Sequence, residues 1–168
     1  MGELSAMGMT IDQFGEQARG LLKANNGPEG REQVRQLLEA LLSDQAFISA
    51  HFGPDEDSPR KLIYEDPELG FCVFSHVHKG KSVSKPHDHG PSWAIYGQAF
   101  GVTEMREWEP AGDSVNLKTT YAMRPGDARL YNEGVIHSPS RESETHLVRI
   151  EGRNLEGVPR VYFDDPTE

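Results

Sequence analysis

Three histidines are the residues of this 168-residue chain whose spacing points most directly to chemistry. His87 and His89 stand one residue apart in KPHDHGPSW, and in an extended segment residues i and i+2 point to the same side. His137 comes much later, after a short apolar run in ARLYNEGVIHSPSR. Three imidazole nitrogens that leave coordination positions open suit a catalytic divalent metal better than a closed structural site. The spacing therefore predicts a metal centre held by His87, His89 and His137.

A histidine pair of this kind is a weak signal when it stands alone. The chain has 7 histidines, so two of them can fall one residue apart without forming a site. His76 and His78 form a second such pair, and we expect them to lie beside the metal or at the surface rather than to bind it. The first pair gains weight from Gly101, a glycine-bounded turn segment at 126–134 and His137, because a motif is supported by its expected structural context. We expect Gly97, Gly101 and Gly134 to make tight turns where the backbone bends behind the metal.

Two amphipathic helices are predicted before the histidines. Thr10 can cap a helix that runs to about Asn25, and Pro28 begins a second one. Apolar residues recur at helical spacing in both, which indicates one buried face on each helix. These residues are Ile11, Phe14, Ala18, Leu21 and Leu22 in the first helix and Val34, Leu37, Leu38, Leu41 and Leu42 in the second. We expect both helices to pack on a sheet; partner binding by the second is the alternative.

After a polar loop at 51–60 the pattern changes to many short strands. The stretches with strand character are Lys61–Tyr64, Gly70–His78, Lys81–His87, Ser92–Gln98, Phe100–Trp108, Ser114–Met123, Ala128–Asn132, Thr145–Glu151 and Arg160–Phe163. Brief strands at close intervals predict an antiparallel sandwich or barrel rather than a parallel α/β sheet. We expect residues 1–9 to be flexible and 10–168 to form one domain, with a helical part at 10–52 and a β-barrel at 60–163.

The composition narrows the classes of function. Lys and Arg total 17 against 27 Asp and Glu, and the net charge of −10 argues against nucleic acid or an anionic membrane as a partner. The single cysteine, Cys72, excludes an intrachain disulfide and fits a reducing compartment. The sequence has neither a signal-peptide pattern nor a long apolar run. These features favour a cytoplasmic protein that handles a small molecule.

The residues around the three histidines resemble the two sequence motifs of the cupin superfamily. The first motif is matched by His87-x-His89, Ala94 and Gly101, with Ala94 in the position of the usual acidic ligand. The second is matched by Gly126, Asn132-x-Gly134, His137 and Arg141, with Asn132 and Arg141 in place of the usual Pro and Asn. The resemblance covers about 60–151. It implies an all-β fold, the double-stranded β-helix barrel (jelly roll), here preceded by two N-terminal helices.

Within the cupins, the layout is similar to that of the bacterial thiol dioxygenases, the cysteine dioxygenase and 3-mercaptopropionate dioxygenase type. That resemblance implies one Fe(II) ion on the three histidines, a small anionic thiol and dioxygen as partners, and a sulfinate as product. It also implies that Arg60 holds the substrate carboxylate through its planar guanidinium, although an arginine beside Pro59 in a polar loop can equally be solvent-exposed. Ala94 excludes the cysteine–tyrosine crosslink of the mammalian enzymes.

The catalytic pair of that family is a histidine and a tyrosine two residues apart on a late strand, and this chain departs from the pattern. The aligned segment reads THLVRIEG, so Arg149 and Glu151 take the two positions and His146 matches only in a shifted register. Tyr96 and Tyr131 lie in the motif strands, and strand alternation can turn either of them toward the barrel interior. His146, Tyr96 and Tyr131 are therefore the candidates for the missing catalytic groups.

Two other functions are compatible with the same three histidines. The metal could be nickel, zinc or manganese, with diketone cleavage, isomerisation or a lyase reaction in place of thiol oxidation. The barrel could also bind a small molecule without turning it over. The sequence decides neither between these functions nor between a monomer and a homodimer, since the edge strands of such sheets often pair.

Overall fold

The computed structural model describes residues 8–167 of the chain. Within that range three helices come first and nine strands follow. The helices are α1 (Ile11–Ala24), α2 (Pro28–Leu42) and α3 (Gln45–His51). The strands are β1 (Lys61–Glu65), β2 (Cys72–His78), β3 (Ser82–Val83), β4 (Ala94–Phe100), β5 (Thr103–Ala111), β6 (Ser114–Met123), β7 (Ala128–Tyr131), β8 (Ile136–Arg141) and β9 (Thr145–Glu151).

The strands form two antiparallel sheets. One sheet has the order β1-β2-β9-β4-β7 and the other has the order β3-β8-β5-β6. From β4 onward the chain passes from the first sheet to the second and back twice, so strands close in sequence come to lie in opposite sheets. This winding of a strand ribbon between two sheets is the double-stranded β-helix, or jelly roll. The predicted all-β barrel with N-terminal helices is confirmed.

The two faces of the first sheet have different neighbours. Val73, Ile95 and Val148 point outward and join one buried apolar cluster with Phe14 and Leu38 of the helices. Strand alternation then turns Ala94, Tyr96, Phe74, Arg149 and Glu151 toward the barrel interior. The helices thus cover one face of the sheet and leave the other face to the site.

The glycines predicted to make tight turns serve two purposes. Gly101 and Gly134 have φ of +74° and +83°, which is the backbone conformation expected of turn glycines. Gly97 lies inside β4 instead, where an added Cβ would meet a methyl carbon of Leu38 at 2.8 Å. The tight-turn interpretation of Gly97 is therefore wrong, because this glycine lets α2 approach the sheet closely.

Several element boundaries differ from those predicted. The short helix α3 was not predicted; the Asp44 side chain caps it by accepting from the Ala46 N–H. The predicted strand 81–87 shrinks to β3, and 160–163 contributes only a bridge from Tyr162 to His87. Strand β8 was missed, because Pro139 and four polar residues in IHSPSR hide its alternation.

The predicted flexible start, residues 1–9, falls largely outside the described residues. At its end, the Met9 N–H donates to Oδ2 of Asp44 at 2.8 Å. No helix in the range 8–167 combines the length and apolar character needed to cross a membrane.

A buried carboxylate fastens α1 to the sheet. Asp66 is 3% exposed, and its Oδ1 accepts from Arg19 Nε of α1 at 2.9 Å and from the Tyr64 hydroxyl at 2.8 Å. Its Oδ2 accepts from the backbone N–H groups of Glu68 and Leu69 at 3.1 and 2.7 Å. Four donors therefore satisfy one charge in the turn between β1 and β2.

We expect Asp66→Asn to lower the free energy of unfolding by about 2 kcal/mol, since the charge-assisted bonds to Arg19 and the backbone weaken together. Denaturant unfolding measures this loss. Asp113→Asn, in an exposed turn, is the matched control and should change stability by less than about 0.5 kcal/mol. Equal losses of unfolding free energy in the two variants would show that Asp66 does not hold α1 to the sheet.

We expect the contribution of Asp66 to the stability of the protein to depend on pH. Burial by itself would raise the pKa of Asp66, but the donors of Leu69, Tyr64 and Arg19 outweigh it and the pKa is lowered. A carboxyl with a lowered folded-state pKa stabilises above the unfolded-state value of about 4, and that stabilisation is lost as the pH falls through the folded-state pKa. The stability difference between wild type and Asp66→Asn should therefore be constant near neutral pH and shrink below about pH 4.

Candidate metal centre

Backbone hydrogen bonds hold His87 and His137 side by side. The His87 N–H donates to the His137 carbonyl at 3.0 Å, and the His137 N–H donates to the His87 carbonyl at 2.9 Å. His137 is the second residue of β8, whereas His87 lies in the segment that precedes β4. His89 follows two positions later, and its ring lies 4.8 Å from that of His137, centroid to centroid. Two backbone bonds thus bring together histidines that are far apart in the sequence.

The three imidazoles form a buried cluster. Their exposed fractions are 5% for His87, 2% for His89 and 0% for His137. One ring nitrogen of each lies within 4.8 Å of the others, and Nε2 of His89 is 2.9 Å from Nε2 of His137. Nδ1 of His87 is 2.8 Å from the Lys85 carbonyl, which can only accept, so Nδ1 carries the proton and Nε2 keeps its lone pair.

Burial keeps these rings neutral. It is the largest cause of the lowered pKa of His87, to about 4, and of the lowered pKa of His89. The pKa of His137 lies well below its usual value, first through burial and then through the neighbouring His89 and His87. A metal binds the neutral imidazole through its lone pair, so the cluster is in the protonation state that a ligand set requires.

The donor set fits a divalent transition metal. Two imidazole nitrogens bound to one ion at about 2.1 Å each are separated by roughly 3–4 Å, and the His89–His137 pair is close to this separation. Two lone pairs at 2.9 Å repel unless a proton or a cation lies between them. Imidazole suits iron, nickel, copper and zinc alike. The structure therefore brings the three predicted ligands to one point that could hold a metal ion.

Tyr96 lies directly at this cluster. It points to the barrel interior from β4, and its hydroxyl is 3.0 Å from Nε2 of His89. Only 6% of the residue is exposed, and burial raises the pKa of its phenol. Tyr96 therefore presents a neutral hydroxyl beside a predicted ligand nitrogen, where it can donate to an anion that approaches the site.

Tyr131 also reaches the cluster, but through its ring. The ring centroid is 4.3 Å from that of His137, whereas the hydroxyl oxygen is 2.5 Å from the Tyr121 hydroxyl oxygen. Tyr121 in turn donates to Oε2 of Glu107 at 2.6 Å, so the shared proton between the tyrosines comes from Tyr131. The Tyr131 hydroxyl thus bonds to Tyr121 and, through it, to Glu107, and it contacts none of the three histidines.

The remaining two candidates lie elsewhere. Arg60 is exposed, and its Cζ lies 4.2 Å above the ring of Phe74, which faces inward from β2. Arg60 therefore borders the barrel interior from outside. His146 lies on the outer face of β9, with Nε2 at 2.7 Å from a Glu144 carboxylate oxygen and its ring stacked on Phe52. The structure does not bring His146 to the cluster.

The position of His146 follows from strand alternation. Val148 and Ile150 of β9 point outward into the apolar cluster shared with the helices, and His146 has the same parity. A shifted register would have been needed to turn it inward. The pairing of β9 with both β2 and β4 fixes the register instead.

Glu151 is a site residue whose role sequence reasoning missed. It is 0% exposed and faces inward from β9, with Oε2 at 3.6 Å from Nδ1 of His89. Arg149 Nη2 lies 3.0 Å from Oε1, and Arg160 Nη2 lies 3.7 Å from Oε2. A carboxylate behind a ligand histidine orients its ring. The only signal in the sequence was strand alternation, which places Arg149 and Glu151 on the same face of β9. The pairing of β9 with β4 turns that face inward, together with Ala94.

Electrostatics keep Glu151 ionised. Burial by itself would raise the pKa of this carboxyl, but the contact with His89 and the charge of Arg149, followed by that of Arg160, lower it below its usual value. The carboxylate therefore compensates arginines that would otherwise carry unbalanced charge inside the barrel.

Comparisons with known proteins bear on the fold. No protein-family model matches the sequence, and no curated protein matches it. Solved structures do. A cupin-2 domain protein from Shewanella frigidimarina is 16% identical, with a TM-score of 0.43 over 59% of this chain and 84% of its own. KdgF from a Halomonas species is 17% identical, with a TM-score of 0.46 over 59% and 82%.

An oxalate oxidase in complex with the substrate analogue glycolate is 14% identical, with a TM-score of 0.47 over 64% of this chain and 57% of its own. At these identities and TM-scores the likeness carries no argument. The chemistry has to be argued from the residues of the site.

Proposed function

We propose that this protein is a metal-dependent enzyme that oxidises a small anionic thiol to a sulfinate with dioxygen. The observation that carries the proposal is the buried cluster of three neutral histidines, without a carboxylate among the three. Such a set leaves a bound divalent metal formally dicationic, with positions open for other ligands. An anionic substrate then supplies the negative charge that Ala94, in place of an acidic ligand, does not.

The proposed metal is Fe(II), held by His87, His89 and His137. Bound iron would supply the redox chemistry that activates dioxygen next to the chelated substrate. Nickel, zinc and manganese remain alternatives, because three imidazoles do not select among them. The reaction balances as RS⁻ + O₂ → RSO₂⁻: both oxygen atoms form bonds to sulfur, sulfur loses four electrons and dioxygen gains four.

The protein's own groups bind and orient the substrate. Arg60 is proposed to meet a substrate carboxylate at the edge of the barrel, because its guanidinium is exposed and lies over the inward-facing Phe74. The Tyr96 hydroxyl, 3.0 Å from His89 Nε2, is proposed to donate to the bound anion and to hold it for reaction.

Replacing Tyr96 by Phe removes this hydroxyl and little else. Loss of one hydrogen bond to a charged ligand corresponds to about 1.5–3 kcal/mol, so we expect kcat to fall roughly 10- to 100-fold in Tyr96→Phe. Metal content should stay at the wild-type level. Tyr131→Phe is the matched control, and because its hydroxyl contacts none of the three histidines it should retain kcat within about threefold. A full-rate Tyr96→Phe enzyme would exclude the proposed role.

Oxygen consumption tests the reaction itself. Protein loaded with Fe(II) is mixed with cysteine, 3-mercaptopropionate or other small thiols while dissolved oxygen and thiol are followed together. We expect one dioxygen consumed per thiol lost, with the sulfinate as product. Metal bound at one ion per chain without oxygen uptake from any thiol would contradict the thiol proposal.

A second candidate is non-oxidative metal chemistry, such as an isomerase or lyase reaction or the cleavage of a diketone. Arg149 and Glu151 favour it, since they occupy the positions of the catalytic histidine and tyrosine in the resembled family. Turnover of a dicarbonyl or hydroxy-acid substrate with zinc or manganese, but not of thiols with iron, would support this candidate. Binding without any turnover would indicate a ligand-binding barrel instead.

A further inference from the structure

Arg141 carries a charge inside the barrel that has no counter-ion in the range 8–167. It ends β8 with the same parity as the predicted ligand His137, and it is 7% exposed. Its Nη1 donates to the Ser82 hydroxyl at 3.2 Å. No carboxylate of the described residues lies within ion-pair distance, and its buried Nε has no hydrogen-bond partner among them.

A buried guanidinium of this kind is expensive. Moving a charge out of water costs several kcal/mol unless a partner of opposite charge compensates it. Burial accordingly lowers the pKa of Arg141. A hydroxyl acceptor satisfies one of five N–H groups and none of the charge. The residue is therefore either a destabilising feature or half of an ion pair whose other half is a ligand.

The surroundings of Arg141 also lack negative charge. Glu151, the interior carboxylate, is already shared by Arg149 and Arg160. The charges of Arg149 and Arg141 both reach His76 and, after burial, help to lower its pKa to about 3. Arg141 also interacts electrostatically with Tyr96, whose hydroxyl touches the histidine cluster.

Further unpaired polar atoms lie among these residues. His76 is 6% exposed, and its Nδ1 lies 2.7 Å from the Pro59 carbonyl, which leaves Nε2 as an unpaired acceptor. The buried Nε of Arg149 is an unpaired donor, and both carboxylate oxygens of its neighbour Glu151 also lack a hydrogen-bond partner. Buried polar groups in folded proteins are nearly always paired with protein, water or ligand. The unpaired Nε of Arg141 is therefore a buried donor that an acidic ligand could satisfy.

We propose that Arg141 forms a carboxylate-binding pocket inside the barrel, distinct from the histidine cluster and from Arg60. As a statement about substrate it rests on the proposed function: the metal and Arg60 hold one end of a small acid, and Arg141 holds a second, distal carboxylate. The substrate class is then a dicarboxylic acid with a metal-binding group.

Succinate is the probe, added to the full-length protein at constant ionic strength, with metal content measured in each sample. Ligand that binds only the folded state raises the unfolding temperature, and the dependence on concentration gives an apparent Kd. We expect wild type to be stabilised by succinate and Arg141→Met to bind it at least tenfold more weakly. Arg141→Lys keeps the positive charge but loses the planar guanidinium that can donate two hydrogen bonds to one carboxylate, so it should show an intermediate Kd. Arg106→Gln, at an arginine paired with Asp165 on the outside, should match wild type.

The ligand-free proteins give a second readout. Replacing a buried unpaired charge by an apolar side chain of similar length is often neutral or stabilising, so Arg141→Met without succinate should unfold at or above the wild-type temperature. A purely structural arginine would instead lower that temperature by several degrees, and this result would overturn the proposal. Equal succinate Kd values in wild type and Arg141→Met would overturn it as well.

His137→Ala separates the pocket from the metal. Succinate should still bind this variant, more weakly than wild type because the metal no longer holds its other carboxylate, and the remaining affinity should still fall in the double variant with Arg141→Met. Complete loss of binding together with the metal would show that succinate binds the metal alone and would overturn the proposal. Arg141-dependent binding in a protein that oxidises no thiol leaves the pocket standing and removes only the thiol reaction. Thiol oxidation without succinate binding removes only the pocket.

Discussion

His137→Ala should abolish stoichiometric metal binding and, with it, turnover. His137 supplies one of three donors and is the one joined by backbone bonds to His87, so its loss leaves two imidazoles. Changing a group that only supports a ligand lowers metal affinity about 10- to 100-fold, and loss of a ligand should exceed that range. Elemental analysis of protein purified without added metal should give about one ion per wild-type chain and less than a tenth of that in the variant.

His146→Ala is the matched control for this experiment. His146 is a histidine on the opposite face of the barrel wall, paired with Glu144 and stacked on Phe52, so its removal should leave metal content unchanged. Thermal unfolding of both variants verifies that they fold. A His137→Ala protein that keeps its metal would contradict the centre, and so would equal losses in the two variants.

Glu151→Gln should lower the stability of the protein substantially. The carboxylate is fully buried and compensates Arg149 at 3.0 Å and Arg160 at 3.7 Å, so a neutral amide leaves two arginines without their counter-ion. Removal of one partner of a buried ion pair typically costs about 3–5 kcal/mol. We expect a loss of about 3 kcal/mol in denaturant unfolding, at the lower end because Arg149 and Arg160 are partly exposed and can turn toward water.

The same substitution should weaken metal binding. Glu151 lies 3.6 Å behind Nδ1 of His89, and a supporting carboxylate contributes about 10- to 100-fold to metal affinity. Glu104→Gln is the control, a glutamate on β5 that is exposed and contacts Arg106 at 3.5 Å. It should change stability by less than about 0.5 kcal/mol and leave metal affinity as in wild type. If Glu151→Gln were as stable as wild type and bound metal as tightly, Glu151 would support neither the stability of the fold nor the binding of metal.

Features that depend on neighbours in the chain could be predicted from the sequence. The helical stripes that contain Phe14 and Leu38 predicted α1 and α2, and the alternation in Ser114–Met123 and Thr145–Glu151 gave β6 and β9 their observed bounds. Both patterns are periods of a single element, set by the geometry of that element alone. The one-residue spacing of His87 and His89 is likewise a local pattern, and in the structure both residues belong to the histidine cluster.

Features that depend on pairing could not be predicted. β8 exists because β5 and β3 pair with it on either side, although Pro139 weakens it as a strand by itself. Gly97 looked like a turn glycine until α2 was seen to pack against it. The direction of the Tyr131 hydroxyl was fixed by Tyr121, which arrives from another strand.

The sequence by itself determined the kind of elements and the set of imidazoles, because periodicity and residue type are local properties. Only the tertiary structure decided that His146 faces the helices while Glu151 and Arg149 face the histidines, because β9 takes its register from β2 and β4. A one-residue change in that register would exchange the two faces. The charges inside the barrel are therefore a property of strand pairing and not of any segment alone.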